Sequence, residues 1–157
     1  MSEGNRFRLE ILARPENVGI ARLTAASFAA QIDFTLSEIE EVKVAVSEAV
    51  SNSVIHAYAG RAEGVVVLEG HIENGGLIIS VEDFGKGIED VALARQPSFT
   101  TDPERMGLGF SFMEAFVDEL EVRSQKDKGT KIIMRKKPEA ARGQCRPGDD
   151  RGTREDD

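Results

Sequence analysis

The sequence predicts a two-layer α/β sandwich, an α+β arrangement in which a mixed, largely antiparallel sheet carries its helices on one face. Three observations point there. Short runs of alternating apolar residues recur along the chain. Two turn signals, Asn74-Gly75-Gly76 and Lys128-Gly129, join neighbouring runs into hairpins. Two helical stretches, each with one apolar stripe, stand between the first run and the second, and a helix with one apolar stripe needs a sheet face to bury it.

Arg6 to Ala13 alternates Phe7, Leu9, Ile11 and Ala13 with charged neighbours, the period of a half-buried strand. Pro15 suits the first turn of a helix, and Val18, Ala21, Ala25, Phe28, Ala29 and Ile32 recur at helical spacing up to Asp33-Phe34. Thr35 and Glu38 form a capping box for a longer helix that runs to about Tyr58. Its expected core face holds Ile39, Val42, Val46, Ala49, Val50 and Ser53, whereas Glu48 and Asn52 fall away from that face between Val44 and Ile55. A polar pair with apolar flanks suits the wall of a pocket. Val65 to Glu73 and Leu77 to Asp83 then read as a hairpin, and the loop beyond, with Pro97 and Pro103, leads to a short helix from Met106 to Phe116. A last hairpin pairs Glu119–Ser124 with Thr130–Arg135.

With 157 residues, 40% hydrophobic and 31% charged, the chain is sized for one core. The domain is expected over 1–137. From Pro138 the composition turns to Gly, Arg, Asp, Glu and Pro, too polar to offset the entropy of ordering, so 138–157 reads as a disordered tail. Lys and Arg total 20 against 28 Asp and Glu, a net charge of −8 without a basic face, which argues against direct nucleic-acid binding. The longest apolar runs fall far below the roughly 18 residues of a membrane span, and no signal pattern opens the chain, so a cytoplasmic protein without a membrane partner is expected. Cys145, the single cysteine, excludes an internal disulfide.

The chemistry gathers in three stretches. Glu48 and Asn52 share one helix face at i, i+4. Asn52 offers a neutral oxygen of the kind Mg²⁺ accepts when phosphates and water supply the rest of its shell. Glu48 has the flanks to raise its pKa and the chemistry of a general base. Asp83 ends an apolar strand and is followed by Phe84-Gly85-Lys86-Gly87; an ionised carboxylate is acceptor-only and suits an exocyclic amine, of adenine or of guanine. Gly85 and Gly87 admit close backbone approaches. Gly107 and Gly109 open a helix whose first N–H groups favour anions. Ahead of them Phe99-Thr100-Thr101 and Arg105 offer hydroxyls and a guanidinium to phosphate oxygens. Thr130 can reach a base from the sheet. Any one of these has an ordinary structural explanation as a turn, a cap or a surface pair. The Asp-Phe-Gly string does not mark a eukaryotic-type protein kinase, because the chain lacks the catalytic loop, the lysine strand and the nucleotide flap of that class.

As a set, these residues resemble the GHKL or Bergerat-fold ATPases, and within them the bacterial anti-sigma factor serine kinases. Ser47-Glu48-Ala49-Val50-Ser51-Asn52 resembles the family's N box, Asp83 to Gly87 its first glycine box, and Arg105-Met106-Gly107-Leu108-Gly109-Phe110 its second. Ala94-Arg95-Gln96-Pro97 and Phe99-Thr100-Thr101 resemble its lid, and the similarity runs from about Phe7 to Lys136. The resemblance implies ATP and Mg²⁺ as cofactors, Glu48 as catalytic base, Asn52 as the Mg²⁺ ligand, Asp83 with Thr130 for adenine, and Arg105 at the γ-phosphate. Gly85, Gly87, Thr100, Thr101, Gly107, Leu108, Gly109 and Phe110 complete the implied nucleotide site. It also implies a serine on an anti-sigma factor antagonist as substrate, a sigma factor as the sequestered partner, a homodimer, and Arg22 as a partner-binding residue. His56, at the end of the N box, reads as structural. Three functions follow: a serine kinase that sequesters a sigma factor of the sporulation or stress-response type, a noncatalytic ATP-dependent binding module, and a detached histidine-kinase catalytic domain.

Overall fold

The computed structural model describes residues 3–58, 64–95 and 110–142. Five strands, β1 (Arg6–Leu12), β2 (Val65–Glu73), β3 (Gly76–Asp83), β4 (Glu119–Gln125) and β5 (Gly129–Lys136), form one sheet in the order β1-β2-β3-β5-β4. Helices α1 (Val18–Ala29) and α2 (Leu36–Asn52) separate β1 from β2, and α3 (Val91–Ala94) and α4 (Phe110–Phe116) precede β4. Every neighbouring pair is antiparallel, so the expected mixed sheet is corrected. The reason is topological. The long connection from β3 brings β4 in parallel to β3, but β5 folds back into the place between them.

Sequence pattern accounts for the layers. On β2, Val66, Leu68 and Ile72 are buried, and on β3 Leu77, Ile79 and Val81 are buried, all at period two. Against them α2 sets Val42, Ala45, Val46, Ala49 and Val50, and α1 sets Ala21, Ala25, Phe28 and Ala29. The alanines let the two helices approach closely, and Phe28 meets Phe7 of β1 edge-to-face with ring centroids 4.8 Å apart. The β2–β3 turn holds Asn74 and Gly75 at φ of 53° and 71°, the type I′ geometry that matches strand twist.

The capping box forms as expected: Glu38 N–H donates to Thr35 Oγ1 at 3.2 Å and Thr35 N–H donates to Glu38 Oε2 at 2.7 Å. The far end of α2 differs from expectation. The α-helix closes at Asn52 and widens into a π turn over Ser53–Ala57 before Tyr58. Such turns insert an extra residue into the helical repeat and re-aim the side chains after it. Disorder from 138 is also corrected at its start, because a short helix, α5 (Glu139–Arg142), docks through Glu139 N–H on Glu38 Oε1 at 2.7 Å. The remainder of the tail lies outside the described residues.

Candidate functional site

The strands bring three polar side chains into one row at the end of the sheet. Asp83 lies opposite Thr130, and Thr130 lies opposite Ser124. This row follows from register alone, since cross-strand partners project from the same face. Asp83 is 5% exposed. Its Oδ2 accepts from Ser53 Oγ at 3.0 Å, and its Oδ1 accepts from the N–H groups of Gly85 and Thr130, each at 3.2 Å. Burial pushes the Asp83 carboxyl above the ordinary aspartate value, against the lowering effect of those three donors. Ser124 Oγ lies 2.8 Å from Thr130 Oγ1 and accepts from Ile88 N–H at 2.7 Å, fixing the loop beyond β3 to the far hairpin.

The first glycine turn is held by contacts that leave no room for side chains. A Cβ at Gly85 would run into the Ala57 carbonyl, and Gly87 combines φ of 72° with a Cβ direction blocked by the Gln125 carbonyl. Between them Lys86 N–H donates to Ala57 O at 2.9 Å, and Asp127 N–H donates to Lys86 O at 2.7 Å. Tyr58 closes the back of the turn: its hydroxyl donates to Val65 O at 2.6 Å and accepts from Phe84 N–H at 2.8 Å. Burial, with the nearby Asp83 carboxylate adding to it, raises the Tyr58 phenol and keeps it a donor.

These elements enclose a cavity of about 550 Å³, the size of a site for a nucleotide or similar small molecule. Asp83, Thr130 and Ser53 form its polar floor, Ile88, Phe110 and Ile132 its apolar side, and Asn52, His56 and Ala57 the wall supplied by α2 and the π turn. Gly87 and Lys86 form the rim with Glu89, Asp90, Lys126 and Asp127. With three of roughly four acceptor positions filled, Asp83 can take one further donor, and the apolar side chains of Ile88, Phe110 and Ile132 line the same cavity, a combination that suits a purine.

The expected residues fall into three groups. Asn52, Asp83, Gly87, Phe110 and Thr130 line the cavity, and Gly85 shapes it from behind. Glu48 is half-buried one turn before Asn52, outside the lining, and burial raises its carboxyl above the ordinary glutamate value. Arg22 is exposed on α1 away from the cavity. Thr100, Thr101, Arg105, Gly107, Leu108 and Gly109 lie outside the described residues. Phe110 is fully buried and opens α4.

His56, read from the sequence as structural, lies in the π turn and lines the cavity. Ser53 and Ser124 were not singled out as site residues. Ser53 carried a faint signal as a hydroxyl in an otherwise apolar stripe of α2; Ser124 carried none, because its role depends on register across β4 and β5.

Residues 11–136 match the model of the histidine kinase-like ATPase domain. An anti-sigma F factor of Clostridium perfringens is 51% identical over 135 residues, which cover 85% of this chain and 96% of that protein. Another, from Clostridium acetobutylicum, is 50% identical over 85% of this chain and 94% of its own length. Among solved structures, the RsbU and RsbW domains of Rv1364c from Mycobacterium tuberculosis superpose with a TM-score of 0.62 at 21% identity, over 84% of this chain and 32% of that one, a likeness of fold.

Proposed function

The chain belongs to the histidine kinase-like ATPase family, and from that premise we propose that it is an ATP-dependent serine protein kinase that also holds a sigma factor of the sporulation, sigma F type inactive. Its acceptor is a serine on an anti-sigma factor antagonist. The observation that carries the nucleotide reading is Asp83: a carboxylate 5% exposed, held by three donors and, among the described residues, paired with no cation, facing a cavity beside apolar surface. A buried carboxylate in that setting is costly unless a ligand donates to it. The exocyclic amine of adenine has the right chemistry, and Thr130 stands beside it.

Mg-ATP, when bound, supplies the transferable phosphoryl group and a countercharge for its oxygens. Among the described residues no group of three or more His, Cys, Asp or Glu could hold a metal ion. Mg²⁺ would therefore be held through Asn52 and otherwise by phosphate and water, as suits an ion that keeps most of its hydration. Glu48 accepts the proton of the attacking hydroxyl. What supports this role is its half-burial, which raises its basicity toward that task, and its position one helical turn before Asn52, which lines the cavity. Arg105 is assigned to the γ-phosphate, with Thr100, Thr101, Gly107, Leu108 and Gly109 around the phosphates. Arg22, exposed on α1, is assigned to partner binding, and two copies of the 1–137 domain form a homodimer. Its site of action is assigned to the cytoplasm, and no helix among the described residues is long and apolar enough to cross a membrane.

The test is phosphoryl transfer from Mg-ATP to purified antagonist, with the modified side chain mapped by mass spectrometry. Phosphoserine is the expected product. Phosphohistidine would move the assignment to a histidine-kinase catalytic domain, and tight ATP binding without transfer would leave a noncatalytic binding module. Co-purification from the host names the sigma factor and separates the sporulation type from the stress-response type.

A further inference from the structure

We propose that Lys86, between the two glycines of the first turn, is the cation that draws the polyphosphate of a nucleoside triphosphate into the cavity and offsets the carboxylates around it. The inference rests on the nucleotide reading above and adds a residue and a discrimination to it. Among the described residues four carboxylates line the cavity, Asp83, Glu89, Asp90 and Asp127, against two lysines. A triphosphate entering such a site meets repulsion that an uncharged nucleoside does not. Lys126 is committed, because its ammonium pairs with Glu89 at 2.9 Å. Among the described residues Lys86 makes no ion pair.

Its backbone is nevertheless among the most constrained on the rim. The N–H is spent on Ala57 O at 2.9 Å, and the carbonyl receives Asp127 N–H at 2.7 Å. A Cβ on either flanking glycine would collide with the Ala57 or the Gln125 carbonyl, so the turn packs its backbone directly against both. The base of the side chain is therefore fixed beside the cavity while its exposed, flexible stem can swing the ammonium over the opening. A strongly hydrated point charge on a flexible stem suits a mobile polyphosphate better than it suits a planar base.

Calorimetric titration of the full chain with ATP and, separately, with adenosine tests this. Lys86→Met is expected to lower ATP affinity about fivefold to tenfold, the scale of one partly screened charge, while adenosine affinity stays within about twofold. Lys86→Arg restores ATP binding to within about twofold of the parent, and the salt dependence of ATP affinity becomes shallower in Lys86→Met. Equal loss for adenosine and ATP would show that Lys86 holds the shape of the turn and would overturn the inference. So would undiminished ATP affinity in Lys86→Met. Failure of the parent chain to bind ATP at all would instead remove the nucleotide reading itself, and the two failures are told apart by that control.

Discussion

Two carboxylates, each 5% exposed, lie one in the first turn of α2 and the other at the end of β3, beside Ser53 just past the far end of α2, and their surroundings drive them in opposite directions. Glu38 sits in the first turn of α2. Burial there raises its carboxyl, but the N–H groups of Thr35 and Glu139, the charge of Lys136 and the Thr35 hydroxyl outweigh it and lower the pKa. Asp83 sits where β3 passes the end of α2. Burial also raises its carboxyl, and three neutral donors, with no cation paired to it among the described residues, leave it raised. Close to Glu38, the Lys136 ammonium, itself 5% exposed, donates to Glu41 Oε2 at 2.8 Å and Phe116 O at 2.7 Å. One end is a polar knot around a buried ammonium, with a cavity of about 200 Å³ beside it. The other keeps acceptor capacity in reserve, facing a cavity. Burial alone does not separate the two carboxylates; the buried Lys136 ammonium beside Glu38 does.

The largest expected effect breaks the knot. Lys136→Ala leaves Glu41 and the Phe116 carbonyl without their donor and Glu38 without its countercharge. It should cost about 3 kcal/mol of stability, the low end for a broken buried pair because Glu41 is partly exposed. Urea unfolding measures this, and ATP affinity below the unfolding transition should be unchanged. A parallel fall in ATP affinity would mean that the two ends act as one unit.

Asp83→Ala should show the converse. An adenine amine left without its acceptor loses about 1–3 kcal/mol of binding, whereas stability should fall less than in Lys136→Ala, since the lost group was a buried carboxylate with no countercharge. Titration calorimetry and urea melts on the same protein separate the two quantities. Unchanged ATP affinity would take Asp83 out of the site.

The two ends were unequally legible in the sequence. Thr35 and Glu38 announce a helix start by their spacing, and Asp83 announces itself by ending an apolar run before two glycines. These are local signals. Lys136 gave none, because its partners Glu41 and Phe116 are distant in sequence and meet only once β5 passes beneath α2 and α4. Ser124 failed to register for the same reason. The π turn after Asn52 was invisible because Ser53 to Ala57 carry the pattern of an ordinary helix, and the widening follows from where the chain must reach Tyr58 and Asp83. The short helix after Pro138 was hidden by composition, as its anchor is one backbone N–H on Glu38 rather than apolar burial.

A smaller change tests the cap within the knot. Thr35→Ala removes the hydroxyl that accepts from Glu38 N–H and should cost about 1 kcal/mol, as N-cap losses do. Glu38 keeps its bond to Glu139 N–H and its attraction to Lys136. Thermal melts of Thr35→Ala and Thr35→Ser measure it, and Ser should recover most of the loss. Failure of Ser to do so would place the contribution of Thr35 in its methyl group rather than in the cap.

The finest distinction between the two carboxylates is the sign of their pH dependence. A carboxyl whose folded pKa is raised binds more protons folded than unfolded, so its contribution is fully present below the unfolded value, about 3.9 for Asp, and is lost as pH climbs through the folded value. Asp83→Asn should therefore gain stability relative to the parent as pH rises. Glu38 has the opposite sign: its folded pKa is lowered, so its contribution is present above about 4.3 and is lost as pH falls through the folded value. The deficit of Glu38→Gln should then be greatest near neutrality and should close in acid. Urea melts of both variants and the parent, run from acid to neutral pH, measure both slopes. Opposite slopes are required if one carboxylate is held by its surroundings and the other is held in reserve for a ligand. Parallel slopes would erase the distinction, and added ATP should flatten the Asp83 difference alone, because a bound donor favours the ionised form there and nowhere near Glu38.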